Sequence, residues 1–102
     1  MATETGRLQG ELFTECAGWI WEQLQEDGIH MSGELVELIL TTERELGIQG
    51  RELPEIAQLL QDEFRMRGIA GNPFPIEAPI ILAVLEWEDE FLGMARIPRA
   101  ES

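Results

Sequence analysis

Four times along this chain an amphipathic segment of helical length runs into a glycine followed at once by a large apolar residue: Gly28-Ile29, Gly47-Ile48, Gly68-Ile69 and Gly93-Met94. A glycine closes a helix there because, lacking Cβ, it enters the left-handed backbone region without steric cost, and the apolar residue after it folds back onto the last turn. In the first and third cases the residue that should receive this contact is also apolar, Leu24 and Phe64. The segments so closed cover residues 9–27, 33–46, 54–67 and 79–92. Their starts agree: Ser32 is a good N-cap, and Pro54 and Pro79 suit a first turn, where the N–H they lack has no intrahelical partner. The predicted fold class is therefore all-α, a compact four-helix domain. Residues 68–78, with Pro73 and Pro75, are expected to form an extended connection across one end of the bundle. Aligned on their glycines, the second and fourth segments place Leu35, Leu38, Leu46 and Ile48 on Ile81, Val84, Leu92 and Met94. Two similar helical hairpins would give that echo, and so would any two amphipathic helices closed by glycine.

A chain of 102 residues fits a single domain, and folding at that length buries roughly two-thirds of the unfolded surface, enough for one core without staples. The single cysteine, Cys16, lies in an apolar helical stretch, so neither an internal disulfide nor a thiol cluster for zinc is expected. The N-terminal residues lack a basic region followed by an apolar one, and the longest apolar run, residues 78–85, is far short of a bilayer span. The expectation is a cytoplasmic protein with no membrane association.

Charge narrows the partners. Twenty acidic residues face seven basic ones, all arginine, for a formal net charge of -13. Such a field repels phosphate backbones and anionic lipid, since affinity for nucleic acid relies on the opposite sign. A helix-turn-helix reading with its recognition helix over residues 53–67 meets the same objection, because Glu52 and Glu55 would face the bases and phosphates. It would need Arg65, Arg67, Arg96 and Arg99 gathered on one face. Basic proteins are the expected partners, and no nucleic acid.

At about 100° per residue the first segment puts Leu12, Phe13, Cys16, Trp19 and Ile20 on one side and Trp21 roughly opposite Trp19. The fourth opens with Ile80-Ile81-Leu82-Ala83-Val84-Leu85, apolar all round. Such a helix is either central to the monomer or shared with a second copy, and a homodimer with the first and fourth helices at its interface is the expectation. The alternative is that Trp21 covers the edge of the monomer core. Glu43 and Glu63 interrupt apolar faces in the last turns of their helices. Each is expected to reach solvent past a tapering core; the sharper alternative pairs them across an interface with an arginine such as Arg44 or Arg67.

The densest acidic cluster is Glu86-Trp87-Glu88-Asp89-Glu90, with Glu86, Asp89 and Glu90 at i, i+3 and i+4. Like charges so spaced cost roughly 0.2–0.5 kcal/mol per pair in an isolated helix. An arginine-rich partner surface, a divalent cation or the chain's own arginines would offset that. Glu34-x-x-Glu37 and Glu86-x-x-Asp89 resemble the paired-carboxylate motifs of the all-helical nucleotide pyrophosphohydrolases, a likeness that implies magnesium-dependent hydrolysis. Gly33 stands where that family has its first acid, and the two motifs lie much farther apart here. Residues 32–48, with Ser32, Val36-Glu37-Leu38, Glu43, Glu45 and Gly47-Ile48 in register, resemble the second helix of acyl and peptidyl carrier proteins. That likeness implies a phosphopantetheine attached at Ser32, although Met31 and Gly33 replace the flanking residues of the carrier motif. Asp27, Gly28 and Glu34 superficially match positions of a calcium-binding EF-hand loop, which needs more oxygen donors than this stretch supplies. The only histidine, His30, falls in a turn, and the serine, histidine and acid of a catalytic triad are not assembled by any motif.

The residues together predict a non-enzymatic acidic helical module that docks a basic protein surface through Glu43, Glu45, Glu86, Asp89, Glu90 and Trp21, without cofactor or metal. The carrier-like and pyrophosphohydrolase-like readings are the alternatives.

Overall fold

The computed structural model describes residues 10–69 and 76–97, and within them every regular element is a helix: α1 (Glu11–Glu26), α2 (Gly33–Leu46), α3 (Leu53–Arg67) and α4 (Ala78–Ala95). Consecutive helices pair, α1 against α2 and α3 against α4, and the α3–α4 packing is the most extensive. α4 also packs on α1 and touches α2, so it meets all three other helices. Its all-round apolar start is thereby used within one chain: Ile81, Val84 and Leu85 are fully buried, with Ile80, Leu82 and Ala83 partly buried around them. None of the described helices is long and apolar enough to cross a membrane.

The ends follow from local chemistry. Ser32 accepts a hydrogen bond from the Leu35 amide at 3.1 Å and so caps α2. α1, α2 and α3 close as the glycine pattern predicts: Ile29, Ile48 and Ile69 donate their amides to the carbonyls of Leu24, Glu43 and Phe64 at 2.8, 3.4 and 2.9 Å, after Gly28, Gly47 and Gly68 at positive φ. α4 departs from it. The helix runs through Gly93 and closes three residues later, with Arg96 in the left-handed region at φ 59° and the Ile97 amide bonded to the Leu92 carbonyl at 2.9 Å. The reason is packing: Ile97 is buried there while Met94, the residue expected to close the cap, is 63% exposed. Burying an isoleucine is worth about 2 kcal/mol, more than the ~1 kcal/mol strain of a non-glycine residue in that region.

The start of α4 has no side-chain cap of its own. Gln61, buried on α3, supplies one instead, its Oε1 accepting from the Ala78 amide at 2.7 Å. Of the connection expected over residues 68–78, residues 70–75 lie outside the described part, and Ile76 is buried at the approach to α4. Gln9 and Arg99 also lie outside it.

The core is a single cluster to which every helix contributes: Cys16, Ile20 and Leu24 from α1, Val36, Ile39 and Leu40 from α2, Ile56, Leu60 and Phe64 from α3, and Ile81, Val84, Leu85 and Leu92 from α4. Among the described residues four polar ones share this interior: Thr42, Glu43, Gln61 and Glu88.

Candidate functional site

α4 carries two opposed chemistries. Ile81, Val84, Leu85, Glu88 and Leu92 follow one another at helical spacing and are buried, whereas Glu86, Asp89 and Glu90 project outward and are exposed. Two grooves flank this acidic ridge. One, of about 510 Å³, lies against the start of α3 and is lined by Arg51, Glu52, Leu53, Pro54, Leu82, Glu86 and Asp89, with Gly50. The other, of about 380 Å³, lies against the end of α1 and is lined by Asp27, Ala83, Glu86, Trp87 and Glu90. Glu86 borders both. The first groove holds one guanidinium, Arg51, engaged by Glu55 at 2.7 Å. Among the described residues the second is lined by three carboxylates and no cation.

Aromatic packing fixes the wall of the second groove. The Trp87 indole N–H donates to Asp27 Oδ2 at 3.0 Å, tying α4 to the end of α1. Trp19 meets Trp87 edge-on, ring centroids 5.6 Å apart at 82°, and Phe91 packs on Trp19 at 5.9 Å. An edge-to-face pair of this kind is worth about 1 kcal/mol beyond its buried area. Trp87 is therefore held in place before anything binds.

Beneath the ridge lies a second charged cluster. Arg44 of α2 donates from Nη2 to Glu88 Oε2 at 2.9 Å and from Nη1 to the Leu40 carbonyl at 3.0 Å, with Glu43 Oε1 at 3.5 Å from Nη1. Its guanidinium carbon sits 5.8 Å from the centroid of the Phe13 ring. Glu43 and Glu88 are fully buried, while Arg44 retains 23% side-chain exposure. This overturns the expectation that Glu43 reaches solvent and lies on the docking surface. The carboxylate is held inside beside Arg44, whose guanidinium bridges it to Glu88 of α4. Glu63 behaves differently: partly exposed, it accepts from Arg67 Nε at 2.7 Å within α3. That hydrogen bond raises the pKa of Arg67 above its already high ordinary value, so its charge persists at every physiological pH.

The remaining predicted residues do not assemble around the ridge. Glu45 is exposed and faces Arg67 at 3.5 Å. Trp21 is 38% exposed and its indole N–H donates to the Met31 carbonyl at 2.8 Å, pinning α1 to the turn before α2. It lines a separate groove with Thr14, Ala17, Gly18, Gly33 and Glu37. Glu37 thus borders the α1–α2 groove while Glu86 and Asp89 border the α3–α4 groove. Among the described residues no three His, Cys, Asp or Glu side chains are placed to hold a metal ion together. Ser32 is exposed, with its oxygen engaged as the α2 cap. His30 is exposed in its turn, its Nδ1 2.9 Å from Gln25 Oε1. Two residues of the α4 region were not singled out from sequence: Asp27 as a groove residue and Glu88 as a buried ion-pair partner. The signal for Glu88 was present in its spacing, since it falls on the stripe of Ile81, Val84, Leu85 and Leu92. No family model, curated protein or solved structure matches this chain.

Proposed function

We propose that the protein is a non-enzymatic interaction module whose acidic α4 ridge docks a basic protein surface. The observation that carries this reading is the exposed row Glu86, Asp89 and Glu90, extended by Asp27 and Glu52 across the two grooves. The ion pairs of Arg44, Arg51 and Arg67 go to Glu43, Glu88, Glu55, Glu63 and Glu45; among the described residues none goes to Glu86 or Glu90. A helix that keeps like charges at i, i+3 and i+4 bears a small repulsive cost, which a cationic partner converts into attraction. Electrostatic complementarity of this kind speeds encounter and selects partners more than it adds raw affinity. Glu43, being buried, is not part of the docking surface.

The homodimer expected from sequence competes with this function for the same surface. Two copies meeting through α1 and α4 would bring two acidic ridges, each on a chain of net charge -13, toward one another. Docking of a basic partner relieves that repulsion, and self-association increases it.

Retention of a basic protein from the native host's lysate on the immobilised chain tests the reading. Capture at physiological salt and loss at roughly tenfold higher salt, where screening shortens from about 8 Å to below 3 Å, is the expected result. A retained set that is the same at both salts would refute an electrostatic docking surface.

A further inference from the structure

Resting on that docking reading, we infer that the groove between the end of α1 and α4 is the anchor for an arginine side chain of the basic partner. Its size sets the scale of the occupant. Five residues line it, too few to receive the row of anchors at i, i+3, i+4 and i+7 that a docked helix lays into a groove. The groove accommodates a long side chain and its immediate backbone.

Its chemistry then chooses among side chains. The lining combines the apolar side chains of Ala83 and Trp87 with the carboxylates of Asp27, Glu86 and Glu90. A residue matching it needs a hydrophobic stem, a cationic head, several N–H donors and a flat surface to lie against an indole. Lysine has the stem and the charge, but its ammonium is compact and strongly hydrated. Arginine adds the planar guanidinium, which stacks on aromatic rings and presents its donors in a fork suited to carboxylates. The indole is already oriented by Asp27 and braced by Trp19, so little freedom is lost when the guanidinium arrives. The neighbouring α3–α4 groove does not offer the same anchor: it has no aromatic side chain and already contains Arg51.

The test uses two peptides of equal length and charge, one alternating arginine with glycine and one alternating lysine with glycine, titrated calorimetrically into the full chain at low salt. The anchor predicts that the arginine peptide binds about 2–5-fold tighter, the range of one exposed cation–π contact. Glu86→Gln/Glu90→Gln should weaken it about fivefold, while Glu34→Gln/Glu37→Gln, which removes the same charge from the exposed face of α2, should change it less than about twofold. Trp87→Phe, which replaces the indole by a smaller and weaker aromatic face, should lower the arginine preference, with a smaller effect on lysine binding. Circular dichroism confirms that each variant is folded. Equal weakening by both charge pairs, or no arginine preference in the wild type, overturns the anchor and leaves the docking reading standing. No binding of either peptide to the wild type overturns the docking reading itself.

Discussion

Replacing Arg44 by methionine isolates the buried ion pair from everything on the surface. The substitution keeps a long apolar stem but leaves Glu88, fully buried and previously 2.9 Å from the guanidinium, without that cation, and removes the same neighbour from Glu43. Breaking a buried pair from one side typically costs about 3–5 kcal/mol. Arg44 keeps 23% of its side-chain surface in water, so solvent screens part of the interaction and the expected loss is about 2–3 kcal/mol. For a chain of this length that lowers the melting temperature by roughly 8–20 °C. Urea unfolding followed by far-ultraviolet circular dichroism gives the free energy directly. The cycle is completed by Glu88→Leu and the double variant. Because methionine facing leucine leaves no charge stranded at position 88, the double variant should recover at least about 1 kcal/mol relative to the sum of the single losses. If Arg44→Met unfolds within about 0.5 kcal/mol of the wild type, or the two losses simply add, the pair does not join α2 to α4 as described.

Four further substitutions test local readings by the same unfolding assay. Gly93→Ala should stabilise the chain by about 0.5–1 kcal/mol, since Gly93 is helical and a Cβ there meets nothing within 4 Å; a loss would place the left-handed cap back at Gly93, and Arg96→Gly should give a similar gain for the complementary reason. Gln61→Ala should cost about 1–2 kcal/mol, because it removes the bond to the Ala78 amide that caps α4; an unchanged stability would show that the cap is dispensable. Thr42→Val should be neutral or stabilising by about 1 kcal/mol, as the Thr42 hydroxyl is fully buried and has no hydrogen-bond partner among the described residues. A marked loss there would point to a partner for the hydroxyl.

The helices were legible because each is written twice, once in its apolar spacing and once in its terminal chemistry. Ser32, Gly28, Gly47 and Gly68 do in the structure what their residue types predict. The end of α4 was not legible, because the glycine rule reads a residue's own backbone freedom, whereas the stop was decided by which apolar residue reaches Leu92, and Ile97 does so from beyond Gly93. Glu43 shows a similar limit. Its interruption of an apolar face was visible, but whether a carboxylate points to water or to a cation depends on which helix crosses above it. Glu88 was masked by its acidic neighbours, although its spacing from Val84 and Leu85 places it inward. The second groove needed the tertiary structure, since Asp27 and Trp87 are 60 residues apart in sequence.

The most direct test of the acidic ridge is a paired pull-down with the wild-type chain and a Glu86→Gln/Asp89→Asn/Glu90→Gln variant, at physiological salt and with matched bait. The three substitutions are close to isosteric, and circular dichroism and urea unfolding confirm that the variant keeps the wild-type fold and stability, so a change in retention then reports on docking. A basic protein retained by the wild type should be lost from the variant. Equal retention of that protein by both baits would refute docking at the ridge and place the interaction on another face of the molecule.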